Sequence, residues 1–168
     1  YPPPGEMIAV NDHHLHIVCA GEARPGAPTV ILEAVGGGSS LDWSRVQPEV
    51  ARFARVCAYD RAGFGWSEAG PKPRDARRLA DELLTLLERS GEPGPYVLVG
   101  ASFGGLIVQV AAHSSPDEVA GLVLVDAPHP GWQAQAPQAV QQANASARQM
   151  MGALGFLKRI GLLDLAAA

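Results

Sequence analysis

Gly100–Ala101–Ser102–Phe103–Gly104 reads G-x-S-x-G. That spacing suits a serine held on a sharp turn between a strand and a helix, with its hydroxyl pointing outward. The flanks have the character such a turn requires. Tyr96–Gly100 is an apolar run that reads as a strand, and a helical stretch from about Phe103 to His113 follows directly. The backbone at such a serine is strained, and side chains on its neighbours would collide, so Gly100 and Gly104 are read as the positions where only hydrogen fits. Gly105 gives the helix further room to approach the sheet. A serine hydroxyl is a poor nucleophile without an adjacent base. The next question is which elements position Ser102 and whether a base stands near it.

The apolar runs supply the elements. Glu6–Val10 and Leu15–Ala20, joined through Asn11–Asp12, predict an antiparallel hairpin. Thr29–Ala34 and Arg55–Asp60 predict buried strands, and Gly36–Gly37–Gly38 ends the first of them. Ser44 and Gln47 have capping-box spacing ahead of a short helix reaching about Phe53. Asp75 can cap a helix whose Leu79, Leu83, Leu86 and Leu87 recur at helical spacing, with Gly91 as its stop. Val119–Val125 is a further strand. From Thr29 onward strands alternate with helices, and the strands are continuously apolar. Both features point to an α/β fold with a mostly parallel sheet covered on two faces. Beyond Pro130 the character changes. Gln133–Met151 is rich in Ala and Gln, and Leu154–Leu165 is apolar, which predicts helices without another strand.

Few residues are available to activate Ser102. His13, His14 and His16 fall in the N-terminal hairpin and are expected to be exposed at the far edge of the sheet. His113 lies about 16 Å from Ser102 along its helix at 1.5 Å per residue, out of reach. His129 follows the last strand on the active-site side and is the one histidine worth testing as a base. Asp126 ends that strand; it could orient a histidine or simply cap the structure.

Four segments in order resemble the α/β-hydrolase superfamily, and within it the serine hydrolases carrying a YDRAGxGWS loop. They are the G-x-S-x-G turn, Tyr59–Ser67 (YDRAGFGWS), Glu33–Ser40 (EAVGGGSS) and Gly121–Asp126 (GLVLVD). The resemblance implies the α/β-hydrolase fold over residues 1–130 and the beginning of a helical cap over residues 131–168. It implies an esterase-like hydrolase in which Ser102 attacks an acyl carbonyl, with no cofactor and no metal. The oxyanion would be held by the N–H groups of Phe103 and Gly36. Asp60 and Arg61 would brace their loop. The family's order is nucleophile, acid, histidine, which places the acid and the histidine beyond residue 168. The chain departs from the group at Ala101, often His there, and at Val35, usually Gly, a position where a β-branched residue tolerates positive φ poorly. Asp as the nucleophile, the choice of epoxide hydrolases and dehalogenases, is disfavoured by Ser102. Peptidase, perhydrolase, C–C hydrolase or acyltransferase chemistry stays open, as does a catalytically inactive hydrolase fragment.

Composition narrows the partners. The net charge is −4, with no basic face to attract nucleic acid, and the Arg74, Arg77 and Arg78 cluster reads as a solvated helix side. The partner implied is a small acyl substrate. Cys19 and Cys57 each lie in an apolar strand-like run and are expected to be free thiols in a reduced, cytoplasmic setting. Pro93–Pro116 contains no charged residue, but its glycines fit a strand–turn–helix better than a membrane span. The chain starts at Tyr1, so it is expected to be processed or a fragment; an upstream segment could anchor or export it, and only in a secretory context would the Asn144–Ala145–Ser146 sequon matter. Without the later strands, an incomplete sheet edge is expected to drive self-association.

Overall fold

The computed structural model describes residues 2–128. Six strands form one sheet: β1 (Glu6–Val10), β2 (His13–Ala20), β3 (Thr29–Glu33), β4 (Val56–Tyr59), β5 (Tyr96–Ala101) and β6 (Val119–Val125). Their order across the sheet is β1-β2-β4-β3-β5-β6. β1 and β4 both pair antiparallel with β2, whereas β4, β3, β5 and β6 run parallel. The helices are α1 (Gln47–Val50), α2 (Ala76–Ser90) and α3 (Phe103–Ser114). The cap expected over residues 131–168 lies outside the described residues.

Continuous apolar sequence is what a strand covered on both faces needs, and the burial shows it. Successive side chains of a strand point to opposite faces. In β4, Cys57 and Tyr59 join the core beneath α2 and α3, which contains Leu79, Leu83, Leu86, Ile107 and Val108. Val56 and Ala58 join the opposite core with Leu32, Ala34 and Trp43. Asp75 caps α2 by accepting the Arg78 N–H at 3.0 Å, and Gly91 ends it in the left-handed conformation. The uncharged stretch resolves into β5, a turn and α3; no helix among the described residues is long and apolar enough to cross a membrane.

Three expectations are corrected. The cap near the first short helix is not Ser44 with Gln47. Ser39 and Asp42 form the capping box of a 3-10 turn over Ser40–Trp43, because the chain is already turning directly after the glycines. His13 and His16 are buried rather than exposed, at 4% and 0%; β2 is an inner strand between β1 and β4, so only His14 faces solvent. Cys19 and Cys57 are not free thiols. Antiparallel pairing sets them opposite each other with Cα atoms 4.0 Å apart, and they form a disulfide. Arg74, in addition, is not simply solvated: both its terminal nitrogens donate to the buried Glu82, at 2.5 and 2.7 Å.

Among the described residues, no strand pairs with the outer side of β6, and Leu122, Val123, Leu124 and Val125 are each 41–46% exposed. An apolar row on an open edge templates pairing with another chain. These 168 residues expressed alone are expected to elute from a sizing column as dimers or larger species, and Val123→Lys to shift them toward monomer. A wild-type chain that stays monodisperse and monomeric at high concentration contradicts this.

Candidate active site

Ser102 sits between the last residue of β5 and the first of α3, with φ 49° and ψ −118°. A side chain in that region is strained by roughly 1–3 kcal/mol, and the surrounding structure has to hold it there. Two contacts do so. The Ser102 N–H donates to the Val125 carbonyl at 2.9 Å, tying the turn to the end of β6, and the Gly105 N–H donates to the Ser102 carbonyl at 2.9 Å. Ser102 itself is partly exposed. The glycines around it are demanded by crowding. A Cβ on Gly100 would stand 2.6 Å from Val108 Cγ2 and 2.7 Å from the Gly104 carbonyl oxygen; one on Gly104 would stand 2.4 Å from the Ala34 carbonyl oxygen.

The loop after β3 meets this turn from the other side. A Cβ on Gly36 would lie 3.4 Å from Phe103 Cβ, so Gly36 and Phe103 face one another. As the first residue of α3, Phe103 has an N–H with no carbonyl four residues earlier to receive it. The Gly36 N–H has no backbone partner among the described residues. The positive φ of the loop is taken by Gly37, at +81°, and Val35 is not among the positive-φ residues, so its β-branched side chain costs the loop nothing. Asp126, at the end of β6, has φ 48°, unusual for a residue other than glycine, and its side chain is exposed. His129 lies outside the described residues.

The other histidines stand away from Ser102. β2 is separated from β5 by β4 and β3, a distance of about 14 Å at the usual strand spacing. His16 is also committed: Nδ1 lies 2.9 Å from Asp60 Oδ2, and Nε2 meets the Pro4 carbonyl. Asp60 takes further hydrogen bonds from the Ser40 N–H at 2.6 Å and the Trp66 N–H at 2.9 Å, so it joins β2, the 3-10 turn and its own loop. Arg61 is buried and donates to the Glu33 carboxylate and to the carbonyls of Ala34 and Val35. Tyr59 also donates to Glu33. Sequence reasoning did not find Glu33, which it took only as the first residue of a loop motif; a carboxylate at the tip of an otherwise apolar strand was the signal.

Burial pushes the Glu33 carboxyl up to about 7, against the opposing pull of the Arg61 charge and the hydrogen bonds from Tyr59 and Arg61. The sign follows from proton uptake. Between about 4.5 and 7 the folded chain holds a proton that the unfolded chain has lost, so the stabilisation from this group is complete below 4.5 and disappears as pH rises through 7. The wild type is expected to lose about 3 kcal/mol relative to Glu33→Gln across that window. Urea midpoints of the two proteins at several pH values check this; a constant difference between them would contradict it.

One grouping of potential metal ligands exists among the described residues, Cys19, Cys57 and Glu92. Its sulfurs are bonded to each other, and Glu92 is held by two hydrogen bonds from Arg55, at 2.8 and 2.6 Å.

The comparisons agree with this fold. The sequence profile of the alpha/beta hydrolase fold matches residues 28–162, and the chain belongs to that family. The chain is 33% identical over 125 residues to "Probable transporter efuK" of Hormonema carpetanum, covering 71% of this chain and 18% of that protein. It is 36% identical over 110 residues to "Putative carbamate hydrolase RutD" of Klebsiella pneumoniae (strain 342), covering 64% of this chain and 39% of that protein. The crystal structure of Cfl2 from Burkholderia cenocepacia superposes with a TM-score of 0.68 at 31% identity, over 75% of this chain and 42% of that one. The chain thus spans between 18% and 39% of the length of these two curated relatives.

Proposed function

We propose that the protein is a serine hydrolase acting on an ester or a related acyl compound such as a carbamate. The observation that carries this is the backbone of Ser102, held at positive φ between β5 and α3. Strain of that kind persists only where the surroundings enforce it, and it gathers at sites of chemistry. In the reaction, Ser102 Oγ attacks the acyl carbonyl carbon and a base takes its proton. The negative charge on the tetrahedral oxygen is met by the N–H groups of Phe103 and Gly36. Each such donor contributes on the order of 3 kcal/mol to transition-state stabilisation. Collapse expels the leaving group, which takes the proton from the base; water then attacks the acyl carbon, giving its proton to the base, and the proton returns to Ser102 Oγ as the acid leaves.

The base is a histidine other than His13, His14, His16 or His113, for the reasons of distance and bonding above. His129, with Asp126 as its orienting acid, is one pair to test; a histidine and acid from beyond residue 168 is the arrangement we favour. The relative named as a carbamate hydrolase supports acyl chemistry at this serine.

The test is to treat the full-length protein with a fluorophosphonate and locate the adduct by peptide mass mapping. Rapid, stoichiometric labelling of Ser102 is expected, together with turnover of some members of an ester and carbamate panel. A folded full-length protein that neither labels nor turns over would make it a hydrolase fold without hydrolytic function.

A further inference from the structure

Glu33, Tyr59 and Arg61 are buried beside the turn that carries Ser102, and no step of the reaction uses them. Arg61 stands out by what its guanidinium holds. It donates to the carbonyls of Ala34 and Val35, the two peptide groups just before Gly36, and to the carboxylate of Glu33. Glu33 is in turn gripped by the Tyr59 hydroxyl. Arg61 and Glu33 are 4% and 0% exposed, so water does not compete for these bonds.

The Val35 carbonyl and the Gly36 N–H belong to one peptide group. That group is planar and trans, so its oxygen and hydrogen point in opposite directions. Fixing the oxygen on Arg61 fixes the direction of the N–H, away from Arg61. A cation on the carbonyl also polarises the peptide and strengthens its N–H as a donor. The same end of β3 sets the other donor. Gly104, next to Phe103, sits so close that a Cβ there would lie 2.4 Å from the Ala34 oxygen and 2.7 Å from Glu33 Cγ.

We infer that Arg61, anchored by Glu33 and Tyr59, is a positioning residue for the oxyanion site: by gripping the Val35 carbonyl it aims the Gly36 N–H at the developing oxyanion. This rests on the serine-hydrolase reading above. Lysine keeps the charge but lacks the planar fork needed to reach a carboxylate and two carbonyls together. The Gly38 N–H also donates to the Val35 oxygen, at 3.0 Å, and the guanidinium fork adds the buried, charged partner that holds the angle of this peptide.

The experiment uses the full-length protein and compares an ester with its thionoester, whose sulfur gains much less from N–H donors. For Arg61→Lys, folded by circular dichroism, kcat on the ester is expected to fall about 30-fold with KM within a few-fold. The loss on the thionoester is expected to stay below about 3-fold, since the donors matter less there. Tyr59→Phe, which loosens the anchor without touching Arg61, is expected to give a smaller loss with the same ester bias, and it decides the matter if Arg61→Lys does not fold. Equal losses on both substrates, or no loss in a folded variant, would overturn the inference while leaving the serine chemistry standing. Wild-type protein with no Ser102-dependent turnover would remove the parent reading, and the positioning role with it.

Discussion

Replacing Ser102 by alanine in the full-length protein is expected to lower kcat by about a million-fold while leaving the fold intact. The size follows from what is lost. Without Oγ no acyl-enzyme can form, and only binding and the oxyanion donors remain to help water attack. The donors proposed for the oxyanion, Phe103 and Gly36, would act through their backbone, so their contributions should survive and the residual rate should exceed the uncatalysed one by about 10³-fold. Stability gives a second reading of the same position. Ser102 has φ 49°, which alanine tolerates no better than serine, so Ser102→Ala should melt close to the wild type. Ser102→Gly should be as inactive but more stable, by about 1 kcal/mol, because glycine removes the strain at some entropic cost. Steady-state rates on a responsive ester and urea midpoints for the three proteins check both. If Ser102→Ala retained more than a few per cent of the activity, another group would be the nucleophile. If Ser102→Gly were less stable than the wild type, the backbone at this turn would not be under strain.

What could be read from the sequence was set by local signals. β1 and β6 were legible to the residue because each is a bounded apolar run, and α2 because Asp75, a leucine stripe and Gly91 mark its start, inner face and stop. The turn at Ser102 was legible because its glycines exist for crowding that any strand-to-helix turn of this kind creates. What failed was non-local. Nothing near His13 or His16 tells that β4 pairs beyond β2 and turns an expected edge into an inner strand. Nothing near Cys19 tells that Cys57, 38 residues on, lies opposite it. Glu33 escaped notice for the same reason: its partners Tyr59 and Arg61 come from the next strand and the loop after it. Periodicity identifies elements, but register decides which polar groups meet, and register across a sheet is set by the whole assembly of strands.

Breaking the Cys19–Cys57 bond is expected to cost about 4 kcal/mol of stability, by the loop-closure entropy of a 38-residue separation. It fastens β2 to β4, the pairing through which the antiparallel hairpin joins the parallel part of the sheet. Without it the unfolded chain regains the freedom of the loop that contains β3 and the glycine-rich turn, and the junction is held by the strand pairing and by side-chain bonds such as those of His16 with Asp60 and of Gln47 with the Val18 carbonyl. The Cys19→Ala/Cys57→Ala variant should melt about 10 °C below the wild type. A reductant should lower the wild-type midpoint comparably and leave the variant unchanged. Turnover below the melting range should be unaffected, since β4 and β3 stand between the bond and β5. Two thiols titrating in the native protein without reductant, or identical midpoints with and without it, would show that the bond does not form. The same measurement bears on where the protein works. Structural disulfides persist where thiol reductants are scarce and are rare in the cytosol of mesophiles. Alkylating the protein as its own cell makes it, before lysis exposes it to air, therefore tests the cytoplasmic expectation: blocked thiols at both positions would support it, and a protected pair would place this sheet in an oxidising compartment.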